Sequence, residues 1–280
     1  MAVLHMLAND QGQSLGNAIA AAGGLCFIQS IRVNSLLTAG ESFGGDNRSQ
    51  QGGDSVIKIK VGGDTAADAA KVNATLSSLQ EGTRLRLDAN QQWSMEQALA
   101  FCSQLEQPQR LEYIEEPIDD PTRLPEFYKR SGGIPYALDE SLSAGIWGGR
   151  SGLALSGAHG AAALVLKPAL LGGMVRCISL WREAALTNMC REATESSPSL
   201  CCVVTSCFDS TVGLAHAAIL AGLIGHGSHH GLSTYAWLKG DVVEEGAGFS
   251  SAVSEEVEVV NLERCQRILN EIASTYASKQ

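Results

Sequence analysis

Charged residues stand at the ends of several short apolar runs, a position where an ionised side chain is costly unless it has a use. They are Lys58 and Lys60 in IKIKV, Asp88 in LRLDAN, Glu115 and Glu116 in YIEEP, Asp139 and Glu140 in ALDES, and Lys167 in LVLKP. A buried charge costs several kcal/mol unless it is paired or binds a metal. Three carboxylates brought together would make an oxygen-rich site suited to Mg²⁺. Lysines beside that site could remove a proton from a substrate.

The two lysines of IKIKV lie two positions apart on a predicted strand, so the side chains of Lys58 and Lys60 point to the same face. Their mutual repulsion, partial burial and a nearby divalent cation would lower a lysine pKa towards neutrality, where the amine can act as a base. With three carboxylates and Mg²⁺, this set favours abstraction of a proton α to a carboxylate. Taken singly, the lysines could be a solvated strand edge and each carboxylate a helix cap.

Short β-rich runs alternate with segments of helical periodicity, and these elements must position the charges. The predicted strands are 26–33, 56–61, 84–87, 111–114, 135–138, 162–166, 201–205 and 233–237. The predicted helices are 66–79, 95–105, 123–130, 174–195 and a closing helix at 262–273. Strands alternating with helices predict βαβ units and a parallel sheet.

The spacing of the charged positions indicates how the sheet is built. Lys60, Asp88, Glu115, Asp139 and Lys167 follow one another at intervals of 24 to 28 residues, about one βα unit per step. A strand count close to eight favours a closed α/β barrel over the alternative, an open doubly wound sheet. In a barrel all strand carboxyl ends lie at one face, so these residues would converge on one pocket.

Composition bounds the class of protein. The 280 residues are 45 % hydrophobic and 18 % charged, which is typical of a globular chain with a sizeable core. The Gly/Ser/Gln-rich stretch 40–53 predicts a flexible surface loop. A formal charge of -10 without a basic cluster argues against nucleic acid as a partner.

The cysteines and the apolar runs indicate where in the cell the protein is found. Eight cysteines without a C-x-x-C pair indicate reduced thiols. No apolar run reaches the roughly 18 to 20 residues that span a bilayer, so no membrane partner is expected. No secretory signal is visible at the amino terminus. We expect a soluble, intracellular protein of the cytoplasm or the plastid stroma.

These residues resemble the enolase superfamily, and within it the o-succinylbenzoate synthases of menaquinone and phylloquinone biosynthesis. The resemblance covers roughly 31–273 and is carried by RVNSLL, IKIKVGG, LRLDANQQWS, YIEEPIDDP, YALDESL, LVLKPALLGG and VVTSCFDSTVGLAHAA. A lysine base working with Mg²⁺ is the established pattern of enolase-superfamily sites, which we match here. The lysine pair and the D…E…D series are specific for the superfamily, and the last two segments point to the synthase.

The resemblance implies a modified (β/α)₇β barrel and a Mg²⁺-dependent carbon–oxygen lyase. The implied reaction is syn-dehydration of 2-succinyl-6-hydroxy-2,4-cyclohexadiene-1-carboxylate through an enediolate. Lys60 would be the base, Lys58 would tune it, and Lys167 would support the substrate from the opposite side. The implied Mg²⁺ ligands are Asp88, Glu115 and Asp139. Glu115 is chosen over Glu116 because the first acid of the family's E-[EQ]-P pattern is the ligand and the second position varies.

The resemblance also implies supporting residues. Asn90 and Glu140 would orient the metal ligands, and Ser206, Asp209 and Ser210 would line the region of the substrate carboxylate.

The resemblance also bears on domain organisation. Residues 1–24 would be a remnant of the family's amino-terminal capping domain, and 25–280 the barrel. Most of the cap would then be missing: the chain could belong to a larger multifunctional polypeptide, the cap could be supplied otherwise, or the chain could be truncated.

Two alternatives stay open at this point. One is a related racemase of N-acylamino acids or a cycloisomerase, because a lysine on each side of a substrate also suits two-base proton exchange. The other is a non-catalytic barrel kept as a scaffold, which the absent cap favours and the intact lysines and acids oppose.

Overall fold

The computed structural model describes residues 8, 10–28, 30–37, 56–148, 152–192, 197–225 and 227–234. The predicted loop at 40–53, the closing helix at 262–273 and positions 235–237 of the last predicted strand lie outside these residues. The chain divides into two compact units, Val33–Val203 and a second made of Met1–Arg32 with Val204–Gln280. The predicted domain boundary after residue 24 stays a prediction.

The strands follow the β-rich runs of the sequence closely. Their bounds are β1 Arg32–Val33, β2 Ser35–Leu37, β3 Val56–Lys60, β4 Arg84–Asp88, β5 Leu111–Glu115, β6 Tyr136–Leu138, β7 Ala161–Leu166, β8 Cys201–Val204 and β9 His229–His230. The predicted strand at 26–33 is wrong over most of its length, since the described residues from 26 to 31 form no strand and the chain enters the large sheet only at β2. Residues 233 and 234 are not in a strand either.

Strands β2 to β8 form one seven-stranded sheet in which each strand lies beside the one that precedes it in the chain. The registers from β2 through β7 are all parallel. An open doubly wound sheet reverses its strand order at a switch point, and this sheet does not. The fold is therefore α/β and barrel-like, which confirms the predicted class.

Helices connect most of these strands, as the periodicity predicted. Their bounds are α1 Leu15–Gly23, α2 Thr65–Ser78, α3 Met95–Cys102, α4 Leu124–Arg130, α5 Glu140–Ser143, α6 Pro168–Leu171, α7 Met174–Glu192 and α8 Thr211–Ile224. Capping side chains define the starts: Asp64 accepts from the Ala67 amide before α2, and Ser94 with Gln97 forms a capping box on α3. None of the described helices is long and apolar enough to cross a membrane.

Alternation along the strands separates two faces of the sheet. Leu85 and Leu87 on β4 are fully buried, and Arg86 and Asp88 lie on the opposite face of that strand. On that second face a buried cluster spans four neighbouring strands: Tyr113, Ala137, Ala163, Val165 and Val203. Two positions further on, at the end of β5 and directly after β6 and β7, the same face carries Glu115, Asp139 and Lys167. The apolar cluster therefore lies next to these charged residues, on the same face of the sheet.

The turn that follows β3 requires glycine. Gly62 has a φ of +113°, and a Cβ there would lie 2.8 Å from the carbonyl oxygen of Ala89. The amides of Gly62 and Gly63 both donate to Asp68 Oδ2, at 3.0 and 2.8 Å. This turn sets the direction in which the chain leaves the lysine pair for α2.

The unit that contains α1 and α8 has its own contacts. The two helices pack together, and the amide of Ile28 donates to the carbonyl of Gly222 at 3.1 Å. His230 is buried: its Nδ1 accepts from the Val204 amide at 3.1 Å, and its Nε2 lies 3.2 Å from the Gly225 carbonyl. A neutral ring satisfies both bonds by accepting at Nδ1 and donating at Nε2.

Arg191→Ala is expected to lower the free energy of unfolding by about 3 kcal/mol, because it leaves buried carbonyls without a donor. The buried guanidinium donates to the carbonyls of Ala158, Ala161 and Pro198 at 2.6, 2.9 and 2.9 Å. Urea unfolding followed by circular dichroism measures the loss. The exposed Arg130→Ala is the control and should change little. Equal stabilities for the two variants would contradict the assignment.

Candidate active site

The predicted residues of the Val33–Val203 unit come together at one edge of the sheet. In the registers, Lys60 pairs with Asp88, and Asp88 pairs with Glu115. Asp139 follows directly after β6 and Lys167 directly after β7. All are at carboxyl ends of parallel strands, as a barrel requires.

Lys58 lies between two of the carboxylates. Its Nζ donates to Glu115 Oε1 and Oε2 at 2.9 and 2.8 Å, and it lies 2.9 Å from Asp88 Oδ2. The lysine side chain is 16 % exposed and that of Glu115 only 2 %. The pair is thus largely removed from water. Attraction between opposite charges is stronger in this environment than in water.

Ionisation of this group follows from its packing. Burial alone would lower the pKa of Lys58, but the carboxylates of Glu115 and Asp88 outweigh it and raise the pKa well above that of a free lysine. Burial would raise the pKa of Glu115, but Lys58 holds it below its ordinary value. The predicted lowering of a lysine pKa is therefore wrong for Lys58, whose nearest charges are carboxylates.

Asp139 forms the other half of the charged edge. Lys167 Nζ makes a close ion pair with Asp139 Oδ2. Burial, followed by the nearby Glu115 carboxylate, raises the pKa of Asp139 against the opposing effect of Lys167. Burial and Glu115 also raise the pKa of Asp88. Because the Glu115 carboxylate raises the pKa of both neighbours, it lies close enough to them for one multivalent cation to stabilise all three.

Lys60 differs from the other two lysines. Its side chain is exposed at the end of β3, where Lys60 is in register with Asp88 of β4. Among the described residues, no hydrogen bond or ion pair engages its ammonium group; only its backbone carbonyl is used, by Lys71 Nζ at 3.2 Å. An amine that no carboxylate holds is available to a substrate.

Asn90 and Glu140 lie where orienting groups were predicted. The side-chain Nδ2 of Asn90 donates to Glu140 Oε1 at 2.8 Å, and the backbone amide of Asn90 donates to Asp88 Oδ1 at 3.3 Å. The bond between Asn90 and Glu140 connects the loop after β4 to the segment after β6. The first follows directly on the predicted ligand Asp88, and the second on the predicted ligand Asp139. The contacts fit an orienting role, which stays a prediction.

Glu116 was set aside by the sequence reasoning, yet it is as fully buried as Glu115 and Asp139, at 0 % exposure. Its Oε1 accepts from the amides of Asp139 and Ser141 at 2.8 and 2.9 Å and from the Ser141 hydroxyl, and its Oε2 accepts from Gln91 Nε2 at 2.9 Å. Burial raises its pKa, although these donors act in the opposite direction. Local spacing could not find it, because every donor comes from elsewhere in the chain.

Ser206, Asp209 and Ser210 belong to the other unit, and their polar atoms are engaged there. The Ser206 hydroxyl lies 2.7 Å from that of Thr234, Asp209 Oδ2 accepts from the Cys207 amide at 2.8 Å, and Ser210 caps α8. A structural role accounts for these bonds. Their assignment to the substrate carboxylate stays a prediction.

The donor set fits a divalent cation. Within the described ranges no three His, Cys, Asp or Glu side chains are arranged to hold a metal as they stand, and lysine ammoniums lie on the carboxylates of Asp88, Glu115 and Asp139. Asp139 Oδ1, however, is a buried oxygen without a hydrogen-bond partner. Three carboxylates with one unsatisfied oxygen are the hard oxygen ligands that Mg²⁺ prefers. Coordination would require Lys58 to move away from Asp88 and Glu115.

Comparison with known proteins agrees with this geometry. Residues 47–251 match the family of enolase C-terminal domain-like proteins. The chain is 31 % identical over 194 residues to the o-succinylbenzoate synthase of Yersinia pseudotuberculosis serotype O:3, which covers 68 % of this chain and 54 % of that protein. The same enzyme of Yersinia enterocolitica is 30 % identical over 196 residues, covering 69 % and 55 %. The chain spans about half the length of these relatives.

Solved structures share the fold at low identity. A dipeptide epimerase from Cytophaga hutchinsonii, complexed with Mg and the dipeptide D-Ala-L-Val, has a TM-score of 0.66 and 22 % identity, covering 87 % of this chain and 62 % of its own. Muconate lactonizing enzyme from Pseudomonas putida has a TM-score of 0.63 and 18 % identity, covering 90 % and 72 %. At these identities the likeness shows the fold alone.

Proposed function

The chain belongs to the enolase C-terminal domain-like family, and from that premise we propose that it is a Mg²⁺-dependent o-succinylbenzoate synthase, a hydro-lyase. The observation that carries the proposal is one sheet edge holding three carboxylates with a lysine on either side. Lys60 ends β3 on one side and Lys167 follows β7 on the other. The relatives of about 31 % identity support the choice of reaction.

The cation would be held by Asp88, Glu115 and Asp139. When bound, Mg²⁺ supplies positive charge that stabilises the negative charge developing on the substrate carboxylate as its α-proton leaves. Lys167, ion-paired with Asp139, adds positive charge at the far side of the group. Lys58, which donates to both oxygens of Glu115 when these are not bound to the cation, would move off that carboxylate on coordination and tune the neighbouring Lys60.

Lys60 carries the proton. Its amine takes the proton α to the carboxylate of 2-succinyl-6-hydroxy-2,4-cyclohexadiene-1-carboxylate, and the resulting ammonium gives that proton to the hydroxyl at C6. The C–O bond then breaks, water leaves, and the ring becomes the aromatic ring of o-succinylbenzoate. One group on one face of the ring can perform both transfers, so the elimination is syn.

The expected partner is therefore a small carboxylate, with no role for nucleic acid or membrane. Exclusion of water from the site would strengthen every charge interaction there.

A related racemase is the second candidate, because lysines on two sides of one site also suit proton removal on one face and return on the other. The shared fold with epimerases makes it worth testing.

The test compares o-succinylbenzoate formation with racemisation of an N-acylamino acid by one preparation with Mg²⁺. We expect dehydration to have the higher kcat/KM by at least about tenfold. Faster racemisation would favour the second candidate, and neither reaction in a folded, Mg²⁺-binding protein would favour the scaffold alternative.

A further inference from the structure

We infer that Glu116 is a positioning residue: its carboxylate, without binding the cation itself, holds the loops after β4, β5 and β6 in the arrangement that binds Mg²⁺. The inference rests on the metal site of the proposed function and goes beyond it by assigning a role to a residue outside the ligand set. Three features of Glu116 support this role: its backbone conformation, the origin of its hydrogen-bond donors and the fixed positions of those donors.

The backbone around the site is held in an unusual conformation. Among the described residues four non-glycine residues have positive φ, and three of them flank the predicted ligands: Asn90 at 44°, Gln91 at 59° and Glu116 at 44°. Left-handed backbone is disfavoured for residues with a side chain, so it persists where surrounding contacts impose it. At position 116 glycine would adopt this conformation more easily. A glutamate there indicates that its side chain compensates for the strain.

The donors to Glu116 come from two other loops. From the segment after β6 it accepts hydrogen bonds from the backbone amides of Asp139 and Ser141 and from the Ser141 hydroxyl. From the loop after β4 it accepts a hydrogen bond from Gln91 Nε2, and the backbone amide of Gln91 donates to the Glu116 carbonyl at 2.9 Å. Glu116 itself directly follows the ligand Glu115. One carboxylate thus connects the three segments that begin at or directly after the predicted ligands Asp88, Glu115 and Asp139.

The donors to Glu116 exclude a direct role in binding, because two of them are backbone amides, whereas Glu115 is held by the movable ammonium of Lys58. The residue is 0 % exposed and both carboxylate oxygens already accept hydrogen bonds. The ligand beside it, Glu115, is engaged with Lys58 on the charged face. Groups that orient metal ligands alter metal affinity by about 10- to 100-fold when removed.

Glu116→Gly tests the inference with calorimetric Mg²⁺ binding as the readout. This variant removes the whole side chain, carboxylate included, while glycine adopts the left-handed backbone conformation without strain. We expect the Kd for Mg²⁺ to rise about 10- to 100-fold at a temperature where the variant is folded. Glu116→Gln should restore affinity to within about threefold, because its amide oxygen can accept the bonds from Asp139 and Ser141 while Gln91 turns its own amide.

Arg110→Ala is the matched control. Arg110 ties carbonyls together at the opposite end of β4 and β5, donating to Leu76, Gln80 and Thr83 at 2.7 to 3.1 Å. Its loss should destabilise the fold and leave the Kd for Mg²⁺ unchanged. If Glu116→Gly does likewise, Glu116 is a fold residue only and the inference is overturned.

Ser141→Ala decides the matter if Glu116→Gly does not fold. Losing the hydroxyl bond should raise the Kd by about three- to tenfold, and an unchanged Kd would overturn the inference. A wild-type protein that binds no Mg²⁺ would instead show that the proposed metal site is wrong, which separates the two failures.

Discussion

Lys60→Ala is expected to lower kcat for o-succinylbenzoate formation by about 10³- to 10⁴-fold, the upper range for a general acid–base group. In the proposed reaction the same amine removes the α-proton and protonates the leaving hydroxyl, so both steps lose their catalyst. Lys60 is exposed at the end of β3 and lies outside the ion pairs that hold Lys58 and Lys167. The fold and the Kd for Mg²⁺ should therefore stay close to those of the wild type. Steady-state kinetics with circular dichroism and calorimetry measure all three quantities.

Lys129→Ala is the control, since Lys129 is an exposed lysine on α4. It should leave kcat unchanged. A decrease of less than about tenfold for Lys60→Ala, in a folded protein, would show that Lys60 is not the base. Loss of Mg²⁺ binding in this variant would mean that Lys60 acts through the metal site instead.

Glu115→Gln is expected to weaken Mg²⁺ binding by at least about 100-fold, which is the upper limit seen for groups that merely orient ligands. Glu115 is the central acid of the three, in register with Asp88 and close enough to Asp139 to raise its pKa. An amide loses the negative charge that attracts the cation and presents only one oxygen. Isothermal titration calorimetry with MgCl₂ gives the Kd directly.

The control for this substitution is Glu126→Gln. Glu126 is a half-exposed acid of α4 paired with Arg123 at 2.9 Å, so its loss removes a charge without touching the site. Its Kd for Mg²⁺ should match the wild type. An unchanged Kd for Glu115→Gln would show that the cation, if bound, is held elsewhere.

Much of the sheet and its charged edge could be predicted from sequence. The strands β6, β7 and β8 are continuous apolar runs, and β3, β4 and β5 combine apolar with charged residues; short runs of both kinds bounded by turn residues identify strands. The regular interval between charged positions placed Asp88, Glu115 and Asp139 at one edge because a parallel sheet repeats in βα units. The first strand was misplaced because an apolar run such as 26–33 does not by itself reveal where pairing begins.

What the sequence could not show are contacts between segments distant in the chain. Glu116 depends on donors about 25 residues away on either side, so its neighbours in sequence carry no signal of its role. The pKa of Lys58 was predicted with the wrong sign because a strand pattern reveals Lys60 as a same-face neighbour but does not reveal the closer carboxylate of Glu115. Ionisation is set by the nearest charges in space.

The most direct test of the account is the rate of o-succinylbenzoate formation by the purified chain after removal of divalent cations with EDTA and again after Mg²⁺ is added back. We predict no detectable turnover in EDTA and recovery on addition of Mg²⁺, with half-maximal recovery near the Kd found by calorimetry. Turnover that persists in EDTA would contradict a metal-dependent site at the carboxyl edge of the sheet. A folded chain that binds Mg²⁺ yet forms no product would contradict the proposed synthase activity.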